Sequence, residues 1–187
     1  MKEIRLHARA GQGMVTGAEL IALAANYEGK SSQAFPFFGS EKRGPPVEAY
    51  ARIDNKPITI YEEIGEPDIV IVGDASIMSS VDVCSGLKKD GIVIINSTKK
   101  PGEFGLKTKR VFTVDATKVA LKHFKKLILN TVMLGAFCKV TGVVKLESVK
   151  RAIREKLGGK FPEKMVEANI NAIQEIYDNM EVEKVNA

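Results

Sequence analysis

The amino-acid sequence predicts an α/β protein. It is read as a mainly parallel sheet with flanking helices, an antiparallel hairpin and a helical C-terminal portion, in one domain over residues 1–187. Three observations carry this. Gly11-Gln12-Gly13 joins a strand pattern to a helix pattern near the N-terminus. Two unbroken apolar runs, Asp68–Asp74 (DIVIVGD) and Gly91–Ser97 (GIVIINS), have the composition of parallel strands buried on both faces. From Ala116 onward apolar residues recur at helical spacing.

Glu3–Arg9 sets Ile4, Leu6 and Ala8 against Arg5, His7 and Arg9, the period of a half-buried strand. A helix is predicted from Val15 to Glu28, with Ala18, Ile21, Ala22 and Ala25 on one face and Gly29 as its stop. The loop between them, Ala10–Gly17, opens onto a helix N-terminus. There unpaired N–H groups and the positive pole of the helix dipole favour an anion, with phosphate the obvious guest. The spacing is not that of a dinucleotide loop: Thr16 stands where the third glycine belongs, Gly17 follows it, and Ser31–Ala34 supply no ribose acid. No Walker loop is present either, so a nicotinamide oxidoreductase is disfavoured. The competing reading is a tight βα turn whose glycines only permit close packing.

Ser32–Phe38 reads as a short aromatic strand that Pro36 confines to an edge. The loop Gly39–Pro46 places Ser40, Lys42 and Arg43 between two glycines, as a ligand loop would, or as a surface turn with solvated charges would. Val47–Asp54 alternates, and Asp54-Asn55 is expected to turn it into Pro57–Tyr61 as an antiparallel hairpin. Asp68–Asp74, a helix over Ser79–Leu87, Gly91–Ser97 and Val111–Asp115 then read as βαβ crossovers. Ligands gather beyond the carboxyl ends of such strands, here Gly73, Asp74, Asn96, Ser97 and Asp115. Helices follow over Ala116–Lys126, Asn130–Val140, Leu146–Leu157 and Pro162–Met180. Asn130 or Thr131 is a cap or ligand candidate, and Val166, Ile170, Ile173 and Ile176 form a core or interface face.

A hydrophobic fraction of 44% with 27% charged residues describes a soluble chain with one sizeable core. No apolar run reaches the roughly 18 residues of a membrane span, and the first residues form a strand pattern, so a cytoplasmic protein is expected. The net charge of +5 favours anionic partners, but the lysines are interspersed with acids, and no nucleic-acid or membrane surface is expected. Cys84 and Cys138 have no C-x-x-C partner, which excludes a self-contained iron–sulfur cluster or Cys-rich zinc site; both are expected as small buried residues without a disulfide. His7 and His123 lack a neighbouring nucleophile or paired carboxylate and are read as structural. No catalytic or metal-binding set is found.

AGQGMVTGAELIA over 10–22 and SQAFPFFGSEKRGPPVEAYARI over 32–53 resemble the gamma subunits of the 2-oxoacid:ferredoxin oxidoreductase family, the pyruvate enzymes most closely. DIVIVGD, the Gly91–Ser97 strand and the Asn130-Thr131 helix start fall in the family's order; Met14 and Gly17 depart from it, many relatives having small residues or alanine there. The resemblance implies a multi-subunit enzyme that converts pyruvate and coenzyme A to acetyl-CoA and CO2 and passes two electrons to ferredoxin. It places thiamine diphosphate with Mg²⁺ on alpha and beta partner subunits and iron–sulfur clusters on beta and delta. Coenzyme A is assigned to or near this chain, which alone is expected to be inactive. Gly11, Gln12 and Gly13 are the expected backbone contacts, Ser40, Lys42 and Arg43 the polar and charged ones, and Asn130 a further candidate. The alternative is a purely structural subunit of a related enzyme acting on 2-oxoisovalerate or 2-oxoglutarate.

Overall fold

A computed structural model describes residues 1–37 and 46–181. Its strands are β1 (Lys2–Arg9), β2 (Ser31–Phe37), β3 (Pro46–Asp54), β4 (Ile69–Val72), β5 (Ile92–Asn96) and β6 (Val111–Val114). Its helices are α1 (Met14–Tyr27), α2 (Ala116–Phe124), α3 (Val132–Thr141), α4 (Leu146–Leu157) and α5 (Glu163–Asn179). The sheet order is β2-β3-β1-β4-β5-β6. β1, β4, β5 and β6 pair in parallel, and β3 alone runs against its neighbours. The α/β class and the mainly parallel sheet are thus as the sequence predicts.

Alternation along the strands divides the molecule into two unequal layers. Ile4, Leu6 and Ala8 of β1, Ala49, Ala51 and Ile53 of β3, Ile69 and Ile71 of β4, and Ile92 and Ile94 of β5 face one way. Against them pack α1, α2, α3, α4 and α5 in one continuous core. Small residues set the spacing. Ala18, Ala24 and Ala25 carry no bulk between α1 and the sheet, and at Gly135 of α3 an added Cβ would lie 2.5 Å from the Ile173 carbonyl of α5. Among the described residues the other face has no α-helix. Val70, Val72, Val93 and Ile95 are closed off by Ile77 and Val83 and by half-buried Leu87, Phe104 and Leu106 from the crossover segments. No helix of the described residues is long and apolar enough to cross a membrane.

Two sequence expectations are corrected. The hairpin pairs β2 with β3, in register from Ser31↔Asp54 to Phe37↔Glu48, and Pro57–Tyr61 forms no strand. β3 already has β1 on its other side, so neither of its edges is left for residues 57–61. The Phe35 and Tyr50 rings add to the β2 pairing, with centroids 5.2 Å apart. Residues 57–61 run beside β2 instead, where the Ile58 N–H donates to Ser31 Oγ. The expected helix over Ser79–Leu87 is likewise replaced by a 3₁₀ turn, Ala75–Ser79, and further turns. Short polar side chains divert the backbone here: Asp74 accepts from the Ser76 N–H, Asp82 from the Cys84 N–H, and the Ser79 and Ser80 hydroxyls donate to carbonyls three residues back. The crossovers β4–β5 and β5–β6 therefore carry no α-helix.

The helix-free face holds a buried polar seam. Arg5 donates from Nε to His7 Nε2 at 3.1 Å and from its Nη atoms to the carbonyls of Ile64, Val83 and Ser85. Arg52, 1% exposed, pairs with Glu3 at 3.0 Å and reaches the Glu63 carbonyl. Cys138 is buried, which pushes its thiol up to about 12, whereas Cys84 is half-buried; both are free. His123 Nε2 lies 2.7 Å from Glu175 Oε2, within hydrogen-bond distance.

Burial lowers the His7 pKa to about 4; Glu48 opposes this shift and Arg5 adds to it. The folded protein therefore needs neutral His7, whose Nε2 accepts from Arg5, while the unfolded chain takes up the proton near 6.5. This contribution to stability is fully present above about pH 6.5 and is lost as pH falls toward 4, up to about 3 kcal/mol in all. His7→Gln, which keeps an acceptor for Arg5, should flatten the pH dependence of urea unfolding across that window. An unchanged dependence would rule out His7 as its source.

Candidate functional site

The βα loop at the head of the chain is a left-handed turn. Gly11 has φ +89° and Gly13 φ +78°, conformations that other L-residues adopt only with strain. Gln12 locks the turn between them. Its N–H donates to the Arg9 carbonyl, its Oε1 accepts from the Arg9 N–H at 2.9 Å, and its Nε2 donates to Asp74 Oδ2 at 3.2 Å. Asp74 follows β4, so the Gln12 side chain ties the loop to the neighbouring strand end and faces inward. Burial works against the charged form of Asp74, but bonds from the Ser76 hydroxyl and N–H, the Gln12 amide and the Arg9 charge hold its carboxyl below the usual range.

Gly13 is the N-cap of α1. No side chain caps that helix and its first turn holds no acid, so its leading N–H groups are left to whatever approaches the loop. Beside it stands Asn130. A Cβ at Gly13 would fall 2.7 Å from Asn130 Nδ2, and one at Gly17 would fall 3.5 Å from the Asn130 carbonyl. Asn130 Oδ1 is buried without a hydrogen-bond partner among the described residues. Two candidates 117 positions apart in sequence (130 − 13) are thereby brought into contact. Thr131 does not cap α3: its hydroxyl donates to Asn169 Oδ1 at 2.6 Å, and Asn169 in turn donates to the Met165 carbonyl, which anchors the start of α3 to α5.

The remaining groups at the strand ends are committed within the fold. Asn96 donates to the Gly73 carbonyl and Thr117 Oγ1 and accepts from the Thr117 N–H. Asp115 caps α2 by accepting from the Lys118 N–H, and Ser97 accepts from the Lys99 N–H. At Gly73 a Cβ would lie 2.4 Å from the Met14 terminal carbon, so the Met14 side chain fills the notch over the end of β4. Ser40, Lys42 and Arg43 lie outside the described residues. The strands that bracket them end at this edge, with Pro46 paired to Arg9 and Glu48 to His7. Among the described residues no group of three or more His, Cys, Asp or Glu side chains is placed to hold a metal ion. What sequence reasoning missed is Asp74 as the partner of Gln12 and Gly17 as the partner of Asn130; both contacts are long-range and leave no local pattern.

The family model described as pyruvate ferredoxin/flavodoxin oxidoreductase matches residues 3–179. The chain is 52% identical over 180 residues to the pyruvate synthase subunit PorC of Methanocaldococcus jannaschii, covering 96% of this chain and 97% of that one. It is 49% identical over 186 residues to the pyruvate/ketoisovalerate oxidoreductases common subunit gamma of Pyrococcus furiosus, covering 97% and 98%. The crystal structure of the pyruvate oxidoreductase subunit PORC of Thermotoga maritima superposes with a TM-score of 0.83 at 37% identity, over 96% of this chain and 97% of that one.

The two helix-start glycines should respond differently to a methyl group. At Gly17 an added Cβ finds ordinary contact distances, so Gly17→Ala should raise stability by about 0.5–1 kcal/mol through helix propensity. At Gly13 it meets Asn130 and an unfavourable φ, so Gly13→Ala should cost about 1–3 kcal/mol. Urea unfolding of both variants checks this; effects of the same sign would contradict the packing described.

Proposed function

Because the chain belongs to the pyruvate ferredoxin/flavodoxin oxidoreductase family, we propose that it is the gamma subunit of a multi-subunit pyruvate:ferredoxin oxidoreductase and holds coenzyme A at the Gly11–Gly13 loop. The reaction joins pyruvate and coenzyme A, releases CO2 and acetyl-CoA, and delivers two electrons to ferredoxin. Alpha, beta and delta partner subunits supply thiamine diphosphate, Mg²⁺ and the iron–sulfur clusters. This chain contributes no reacting group; it binds and orients the acyl acceptor and holds the assembly together.

The observation that carries the coenzyme A reading is the uncapped N-terminus of α1, reached through a glycine that leaves room for a ligand. Among the described residues a Cβ at Gly11 would meet nothing within 4 Å, and the first-turn N–H groups supply donors for a phosphate. Asn130, whose Nδ2 is the atom nearest Gly13, borders the loop with an amide, and its buried Oδ1 has no hydrogen-bond partner among the described residues, which keeps it a further candidate contact. The negative charge of Asp74 near the loop is met by Arg9 at 3.3 Å, which limits its repulsion of an anion. Lys42 and Arg43 are assigned to phosphate charge and Ser40 to a hydrogen bond. Gln12, whose side chain is committed to Arg9 and Asp74, is left with a backbone role. A purely structural subunit is the competing reading, and it predicts no ligand effect from any loop variant.

Gly11→Asn fills the open space with a residue that tolerates positive φ. In the reassembled complex it should raise the KM for coenzyme A while the KM for pyruvate and the melting temperature stay near wild type. Lys42→Ala with Arg43→Ala should raise the coenzyme A KM by about tenfold or more, since each charge-assisted hydrogen bond contributes about 1.5–3 kcal/mol. Equal changes in both KM values, or no change, would reject the loop as the coenzyme A site. The purified chain alone should oxidise no pyruvate with a viologen acceptor, and turnover without partner subunits would overturn the subunit assignment.

A further inference from the structure

Residues 118–127 (KVALKHFKKL) contain four lysines and no acid. Lys118, Leu121, Lys122 and Lys125 follow one another at helical spacing along the outer stripe of α2, and Lys126 and Leu127 continue it into the turn; all six are exposed. The inner side of α2 is buried through Ala116, Val119 and Ala120. Among the described residues Glu175 pairs with Lys122 at 2.8 Å, and the ammonium groups of Lys118, Lys125 and Lys126 have no carboxylate within 4 Å.

A solvated helix face accounts for the lysines. It does not account for two large apolar side chains set among them, Leu121 at 45% and Leu127 at 53% exposed. Nor does it account for Lys125, which ends α2 at φ +57° and is the single non-glycine with positive φ among the described residues. Glycine adopts that conformation without strain and is the usual residue there. The lysine here carries that strain.

We infer that this stripe docks an acidic face of a partner protein within the assembly, its leucines filling the water-excluded centre and its lysines meeting carboxylates at the rim. The inference rests on the multi-subunit reading and is independent of where coenzyme A binds. Its location gives it a consequence for the candidate site. The chain runs from Leu127 directly to Asn130, which packs on Gly13, so a partner seated here bears on the segment that shapes the glycine loop.

The test compares the complex, purified from the native host through a tag on this chain, with the isolated full chain. Amine acylation by N-hydroxysuccinimidyl acetate, read by mass spectrometry, should modify Lys118, Lys125 and Lys126 about fivefold or more slowly in the complex, as burial at an interface requires. Lys125→Glu with Lys126→Glu should reduce recovery of the partner subunits about tenfold at 0.15 M salt, while the melting temperature of the isolated variant stays near wild type. Lys125→Gly separates folding from docking: it should raise the melting temperature and weaken assembly together. Equal acylation in the two states, or full assembly of the charge-reversed variant, would overturn the proposal. Protection in the complex with recovery insensitive to salt and to charge reversal would overturn the acidic character of the partner. Binding of a DNA duplex or phosphatidylserine vesicles through these lysines, without protection in the complex, would reassign the surface to nucleic acid or membrane.

Discussion

The buried guanidinium of Arg5 is the interaction on which the helix-free half of the molecule depends. All five α-helices of the described residues pack on one face of the sheet, and the other face is closed there by non-helical backbone. Backbone of that kind carries carbonyls with no helical donor, and burying them unpaired costs free energy. Arg5 reaches three such carbonyls, at Ile64, Val83 and Ser85, from two different segments. Its remaining bond goes to His7, which can accept only while neutral. One charged residue on β1 thus ties the β3–β4 connection and the β4–β5 crossover to the sheet and adds to the burial that keeps His7 neutral.

The candidate site is held by a second long-range constraint on the opposite side of the same strand's end. The short distance between α3 and α5 at Gly135, together with the Thr131–Asn169 hydrogen bond, fixes the start of α3 and therefore Asn130. Asn130 in turn crowds position 13, where a Cβ would fall 2.7 Å from its Nδ2. Gln12 and Asp74 tie the loop to β4 from the other direction. Among the described residues the groups at the strand ends are bonded internally, and the donors left open are those at the start of α1. That inventory suits binding and positioning.

The sequence by itself determined the elements whose periods are unambiguous and the family. β1, β3, β4, β5 and the four C-terminal helices lie within a few residues of where alternation or helical spacing puts them. The segments around Gly11-Gln12-Gly13 and residues 32–53 were enough to identify the relatives. Tertiary structure decided which strand β3 pairs with, because alternation reveals a strand's buried face and says nothing about its neighbour. It decided that residues 75–87 form turns, since the serine and aspartate side chains that satisfy the backbone there compete with a helix the apolar spacing also permits. It decided that Gln12 turns inward to Asp74 and that Gly13 and Asn130 touch. Those contacts join residues far apart in the chain, and only the folded sheet and its helix layer bring them within reach.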